Sequence, residues 1–331
     1  DNRLSERTRM QWLFIVDPIN SFQIKKDSSY AMMQAAQALG HAIWVAELGD
    51  LFARSDRVYA TASPITLQAL SPGAMALKSP RWYAEGESQE RLLSEFDAVL
   101  MRKDPPFDLE FLYATLLLEQ AQRGGAKVFN RPQMLRDHNE KLAILEFPQF
   151  IADTLVSRDP QKLRAFVQAH KLAIFKLLDG MGGASIFQAR ADDPNLSVIL
   201  ETMAQFGRRS VMAQAYIPEI LQGDKRVLLI GGEVVPFALA RIPQAGESRG
   251  NLAAGGRAEA RPLTASDRRI GEYLAPRLYE RGLFLVGLDI IGERLTEINV
   301  TSPTCFREIM DQTGFDVAGM FVRKLTEVCQ Q

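Results

Sequence analysis

Cysteine is nearly absent: 331 residues contain only Cys305 and Cys329. Two are too few for a disulfide framework, and no Cys-x-x-Cys spacing offers zinc or thiol–disulfide chemistry. Histidine is almost as scarce, and His41, His138 and His170 show no ligand spacing, so they read as solvated or hydrogen-bonded imidazoles. Long hydrophobic runs are missing too. Leu283 to Leu288 is among the longest, far short of the roughly 20 residues a membrane helix needs. Charge of one sign is also lacking, because 39 Lys and Arg against 40 Asp and Glu leave a formal charge of −1. Such a chain has no global field to hold a nucleic acid or an anionic membrane. Neither is expected as a partner, and a reducing, cytoplasmic setting fits the cysteine usage.

The remaining composition is that of a folding globular protein, with 47% hydrophobic and 24% charged residues. At about 150 residues per domain the length suggests two or three domains. Residues 1–9 carry Arg3, Arg7 and Arg9 before the apolar run Trp12 to Val16, which is too short for a signal-peptide core. They read as a polar leader, with Met10 an alternative start. Alternation then predicts a βαβ opening: strand 13–16, a helix over 28–39 capped by Ser28 and stopped at Gly40, and strand 43–47. Residues 62–84 read as irregular because of Pro64, Pro72 and Pro80. A second unit has strand 98–101, a helix over 108–122 and strand 127–129, and together these imply a mostly parallel, buried sheet. Short helices near 132–137 and 139–146 mark a domain crossing. Strands dominate from 172, at 172–177, 184–188, 211–216, 226–230 and 234–240, with helices near 195–205 and 266–281 and closing strands near 284–291 and 295–299.

Two glycine-rich loops carry chemical interest. Lys176-Leu177-Leu178-Asp179-Gly180-Met181-Gly182-Gly183-Ala184-Ser185 lies between predicted strands, so it is either an ordinary hairpin or a loop whose backbone N–H groups wrap phosphate oxygens. It matches neither the Walker nor the dinucleotide pattern. Lys176 favours the phosphate reading, because a lysine ending an apolar strand needs an anionic partner or an exit to water. The loop Pro243 to Arg257 combines Gly246, Gly250, Gly255 and Gly256 with flanking Arg241, Arg249 and Arg257. It is either a surface loop or a mobile arginine-bearing cover for an anionic intermediate. Lys141, following Glu140 on a short helix, reads by itself as a solvated face residue.

The most informative segment runs from Gly287 to Val300. Glu297 and Asn299 are two apart on a strand and share a face, while Ile298 and Val300 take the other. A three-residue connection over 292–294 would set Asp289 opposite Glu297; a two-residue turn would pair Asp289 with Thr296 and separate the carboxylates. Oxygen ligands without histidine or cysteine suit a hard cation such as magnesium, with an exposed polar face balanced by Arg294 and Arg307 as the structural alternative. Cys305 has no paired histidine and reads as a buried small hydrophobe rather than a nucleophile.

Taken together, 24–29 (Ile-Lys-Lys-Asp-Ser-Ser), 101–108 (Met-Arg-Lys-Asp-Pro-Pro-Phe-Asp), 179–185, 223–227 (Gly-Asp-Lys-Arg-Val), 249–257 (Arg-Gly-Asn-Leu-Ala-Ala-Gly-Gly-Arg) and 295–305 resemble bacterial glutathione synthetase of the ATP-grasp superfamily, over nearly everything after residue 10. The resemblance implies an α/β ATP-grasp fold with an N-terminal Rossmann-like domain (10–131), a central lid domain (132–215) and a C-terminal domain (216–331) carrying the arginine and glycine loop and the metal site. It implies that γ-glutamylcysteine and glycine are joined through an acyl phosphate at the expense of ATP, with magnesium or alternatively manganese, in a homotetramer. Lys141 and Lys176 would contact ATP phosphates, the loop containing Gly180, Gly182 and Gly183 would cover them, and Gln214, Tyr216 and Ile217 would line the adenine pocket. Asp289, Glu297 and Asn299 would hold the metal. Arg226 and Arg241 would stabilise the acyl phosphate and developing oxyanion, and Arg102 and Ser302 would meet the dipeptide. Leu177 and Ala245 depart from the family pattern, which usually has proline and glycine there. Other readings are a related ATP-grasp ligase, joining D-alanines or adding amino acids to a peptide, and a non-catalytic ATP-binding regulator.

Overall fold

The computed structural model describes residues 9–75, 77, 80–180, 186–247 and 255–331. The expected leader lies almost wholly outside the described residues, as do Gly182, Gly183 and Arg249.

Among the described residues, three sheets organise the chain. In the first, strands Gln11–Ile15, Ala42–Ala46, Ala98–Met101 and Val128–Phe129 run parallel. Their near-continuous burial, complete over Ala98–Met101, is what a sheet covered on both faces requires. Helix Ser28–Ala38 is capped by Asp27, whose carboxylate accepts from Tyr30 N at 2.7 Å. The cap is therefore one residue earlier than the expected Ser28. Ser28 instead turns inward, its Oγ accepting from Phe306 N at 3.2 Å. The stretch expected to be irregular overlaps strand Arg57–Leu67, which pairs antiparallel with Ala42–Ala46 and has Pro64 inside it, and a short strand Tyr83–Glu85 paired antiparallel with it. Proline is tolerated where its missing N–H is not needed by the ladder.

The second sheet has strands Ile186–Arg190, Leu172–Leu177, Val211–Ala215 and Thr154–Ser157, all antiparallel. Its core, including Leu163, Val167, Phe175 and Leu200, is separate from the rest. The third sheet is antiparallel with the order Arg257–Pro262, Glu233–Ile242, Asp224–Ile230, Leu285–Ile291 and Arg294–Asn299. Helices Phe306–Thr313 and Val317–Gln330 follow it. The last packs against helix Ser28–Ala38, so the chain's two ends share one core containing Trp12, Phe14, Leu228, Phe306 and Phe321. No described helix is long and apolar enough to cross a membrane.

Candidate active site

The third sheet builds the site by register. Arg226 is opposite Asp289, Asp224 is opposite Arg241, and Asp289 is opposite Glu297. Residues facing one another across antiparallel strands project to the same side, so six polar side chains share one face: Arg241, Asp224, Arg226, Asp289, Glu297 and Asn299. Lys225, on the alternate face, donates to Asp267 Oδ1 at 2.5 Å.

The pairing of Asp289 with Glu297 arises in a way neither sequence alternative contained. The connection has two residues, with Ile291 opposite Arg294, and a β-bulge then absorbs Thr296 so that Asp289 meets Glu297. Thr296 Oγ1 donates to the Asp289 carbonyl at 3.1 Å, fixing the extra residue. Without the bulge a two-residue turn would have separated the carboxylates.

Electrostatics hold this face tightly. Arg226 Nε donates to Asp289 Oδ1 at 2.6 Å, and Arg241 Nη2 lies 3.1 Å from the same oxygen and 2.9 Å from Asp224 Oδ2. Burial alone would raise the Asp289 carboxyl, but the two guanidinium charges overcome it and hold it well below the usual carboxylate range. Asp224, where burial dominates, is pushed up to about 6. Asp224 lies in the 223–227 motif but has no role assigned from sequence; its position opposite Arg241 is the signal that identifies it.

Strands of the second and third sheets and the loop that follows Ala98–Met101 surround a cleft of about 610 Å³. Lys141, Lys176, Gly180, Arg226, Arg241, Asp289, Glu297, Asn299 and Ser302 line it. Lys176 reaches it from strand Leu172–Leu177 on the same face as Ile174, and burial lowers its pKa. Lys141 Nζ donates to the Gly180 carbonyl at 2.7 Å and lies 3.6 Å from Glu297 Oε1. Gln214 is buried opposite Ile174, with its Nε2 donating to Thr154 Oγ1 at 3.2 Å; it, Tyr216 and Ile217 are outside the cleft wall. Arg102 lines a neighbouring cavity of about 340 Å³, which shares Asp104 and Thr304 with the main cleft. Its Nε donates to Ser29 Oγ at 2.9 Å, while its buried Nη1 has no hydrogen-bond partner. Ser302 Oγ donates to Asp104 Oδ1 at 2.7 Å on the shared wall. Cys305 is buried at a left-handed position (φ +84), and burial pushes its thiol pKa up, which is unlike an activated nucleophile.

Among the described residues no group of three or more His, Cys, Asp or Glu side chains is placed to hold a metal. The expected set has two carboxylates and an amide. Asn299 Nδ2 donates to the Gly287 carbonyl at 3.1 Å, which leaves its Oδ1 as the available ligand atom. Together with the facing Asp289 and Glu297 this is an all-oxygen set, which fits a hard divalent cation.

The model of the prokaryotic glutathione synthetase N-terminal domain matches residues 10–136, and that of the prokaryotic glutathione synthetase ATP-grasp domain matches residues 140–314. The chain is 54% identical over 316 residues to glutathione synthetase of Ralstonia nicotianae, covering 96% of this chain and 95% of that protein. It is 55% identical over 312 residues to that of Bordetella parapertussis, covering 94% and 97%. The chain belongs to the prokaryotic glutathione synthetase family. It is an ATP-grasp ligase, and its activity is ATP-dependent glutathione synthesis. Solved structures agree on the fold: D-cycloserine synthetase DcsG has a TM-score of 0.67 at 14% identity, covering 96% of this chain and 99% of that one. ATP-grasp ligase PsnB complexed with minimal precursor, Mg and ADP gives 0.61 at 16% identity, covering 96% and 98%.

Proposed function

We propose that the cleft between the second and third sheets is where this synthetase joins γ-glutamylcysteine to glycine, with the roles of its side chains set by their positions. The observation that carries the reading is the shared polar face on which Arg226, Arg241, Asp289, Glu297 and Asn299 converge beside Lys141 and Lys176. Both lysines face the triphosphate, which compensates the cost of burying Lys176. Gly180 lies over the phosphates, the role expected of Gly182 and Gly183 too, which lie outside the described residues. Gln214, opposite the cleft-lining Ile174, and Tyr216 and Ile217 just past strand Val211–Ala215 take the adenine beside the cleft wall.

Asp289, Glu297 and Asn299 would hold magnesium, or manganese in its place, which would supply charge neutralisation for the transferring phosphoryl group. Arg226 and Arg241 are permanently charged forked donors, suited to binding the acyl phosphate and then the oxyanion formed when the glycine amine attacks. They are paired with Asp289 and Asp224, which keeps both guanidinium groups compensated and oriented. Arg102, with one buried nitrogen unpartnered, receives a carboxylate of the dipeptide in the adjoining cavity, and Ser302 borders the passage between the two. Three sheets, with a separate core in the second, support a division at 10–131, 132–215 and 216–331. Family membership supports a homotetramer in the cytoplasm.

The test is a product assay with ATP, magnesium, γ-glutamylcysteine and glycine. Equal amounts of glutathione, ADP and phosphate are expected. ADP release only with another acceptor, such as D-alanine, would transfer the chain to a different ligase activity. Nucleotide binding without turnover on any acceptor would make it a regulator.

A further inference from the structure

The edge strand Arg294–Asn299 pairs on one side with Leu285–Ile291, so its outward N–H groups need other partners. Glu140 supplies them. Its backbone carbonyl accepts from Ile298 N at 3.0 Å. Its carboxylate accepts from Val300 N at 2.6 Å, Thr301 N at 3.3 Å and Thr301 Oγ1 at 3.2 Å. The other side of the strand end is held by Asn130, whose Nδ2 donates to the Val300 carbonyl at 2.8 Å. Lys141, the next residue after Glu140, is thereby brought to 3.6 Å from Glu297.

We propose that Glu140 is a positioning residue: its carboxylate fastens the strand carrying Glu297 and Asn299 to the segment carrying Lys141, so that phosphate and metal ligands form one rigid frame. The inference rests on the roles proposed above for those three residues. Glu140 acts through geometry and touches no reacting atom. A glutamine can reproduce that geometry, its carbonyl oxygen accepting both backbone N–H groups while its amide donates to a rotated Thr301 hydroxyl.

The experiment compares steady-state kinetics of the full-length wild type, Glu140→Ala and Glu140→Gln, with thermal melts as a check on folding. Raised KM for ATP in Lys141→Met and raised magnesium requirement in Glu297→Gln establish the roles on which the inference depends, separately from any Glu140 variant. Glu140→Ala is expected to raise both the KM for ATP and the magnesium concentration for half-maximal rate by about tenfold, with the KM for γ-glutamylcysteine within about twofold. Glu140→Gln is expected to restore both to within about threefold of wild type. Should Glu140→Ala fold poorly, Thr301→Val removes one of the three carboxylate bonds and should shift the same two constants by a smaller factor. Glutamine failing as badly as alanine would show that the charge is required. Loss of kcat or melting temperature alone, with the ATP and magnesium constants unmoved, would reduce Glu140 to a stability contact. Either result overturns the proposal.

Discussion

Lys176 sits at the end of an apolar strand, where burial disfavours its charge and Glu297, Asp224 and Asp289 offset only part of that cost; a bound anion would compensate the rest. Replacing it with methionine removes that penalty while keeping the side chain's volume. Lys176→Met is expected to melt at the same or a higher temperature while binding ATP at least about tenfold more weakly, as calorimetric titration would show. Glu297 and Asn299 differ in kind, because they line the cleft and, in the function proposed above, act on the cation. Glu297→Gln and Asn299→Ala should each slow ADP release by roughly 100-fold at low magnesium, with unchanged circular dichroism. Unaltered turnover in both would remove them from the metal site.

At the scale of an element, the hairpin carrying Asp289 and Glu297 shows how little slack the site has. Gly292 opens its two-residue turn with φ +58, and an added Cβ would lie 3.1 Å from the Glu219 Cβ. Gly292→Ala is therefore expected to destabilise the fold by about 1 kcal/mol or more in denaturant titrations. The bulge at Thr296 illustrates a limit of sequence reading. Alternation correctly assigned Glu297 and Asn299 to one polar face, but a bulge depends on the partner strand and leaves no local mark as plain as a Pro or Gly. The Asp27 cap was missed for a related reason: both Asp27 and Ser28 are good caps, and Ser28 was taken up by a contact with Phe306, 278 residues away.

Across the whole molecule, His41 ties the first sheet to the C-terminal helix. Met10 N donates to His41 Nδ1 at 3.2 Å, which places the ring proton on Nε2, 2.9 Å from Thr326 Oγ1. Burial lowers the His41 pKa below its ordinary 6.5, so the folded chain binds fewer protons here than the unfolded chain. The resulting stability is complete above that ordinary value and declines as the pH falls through it. His41→Asn keeps an acceptor for Met10 and does not titrate. Its stability in urea should therefore fall less than the wild type's between about pH 7.5 and about pH 5.5. Equal losses would show that His41 does not report on this contact.

The order of amino acids alone determined the alternating strands and helices of the parallel sheet, the lysines and arginines available to phosphate, and the oxygen-only character of the acidic segment, because these follow from local periodicity and side-chain chemistry. It also carried the family motifs. The helices Phe306–Thr313 and Val317–Gln330 and the strand around Pro64 escaped that reading, since they are stabilised by packing partners distant in the chain. Tertiary structure alone decided that Asp289 faces Glu297, that Asp224 pairs with Arg241, and that Glu140 binds the edge strand. Each depends on which strands become neighbours and in what register, and burial of a shared core settles that only once the chain has folded.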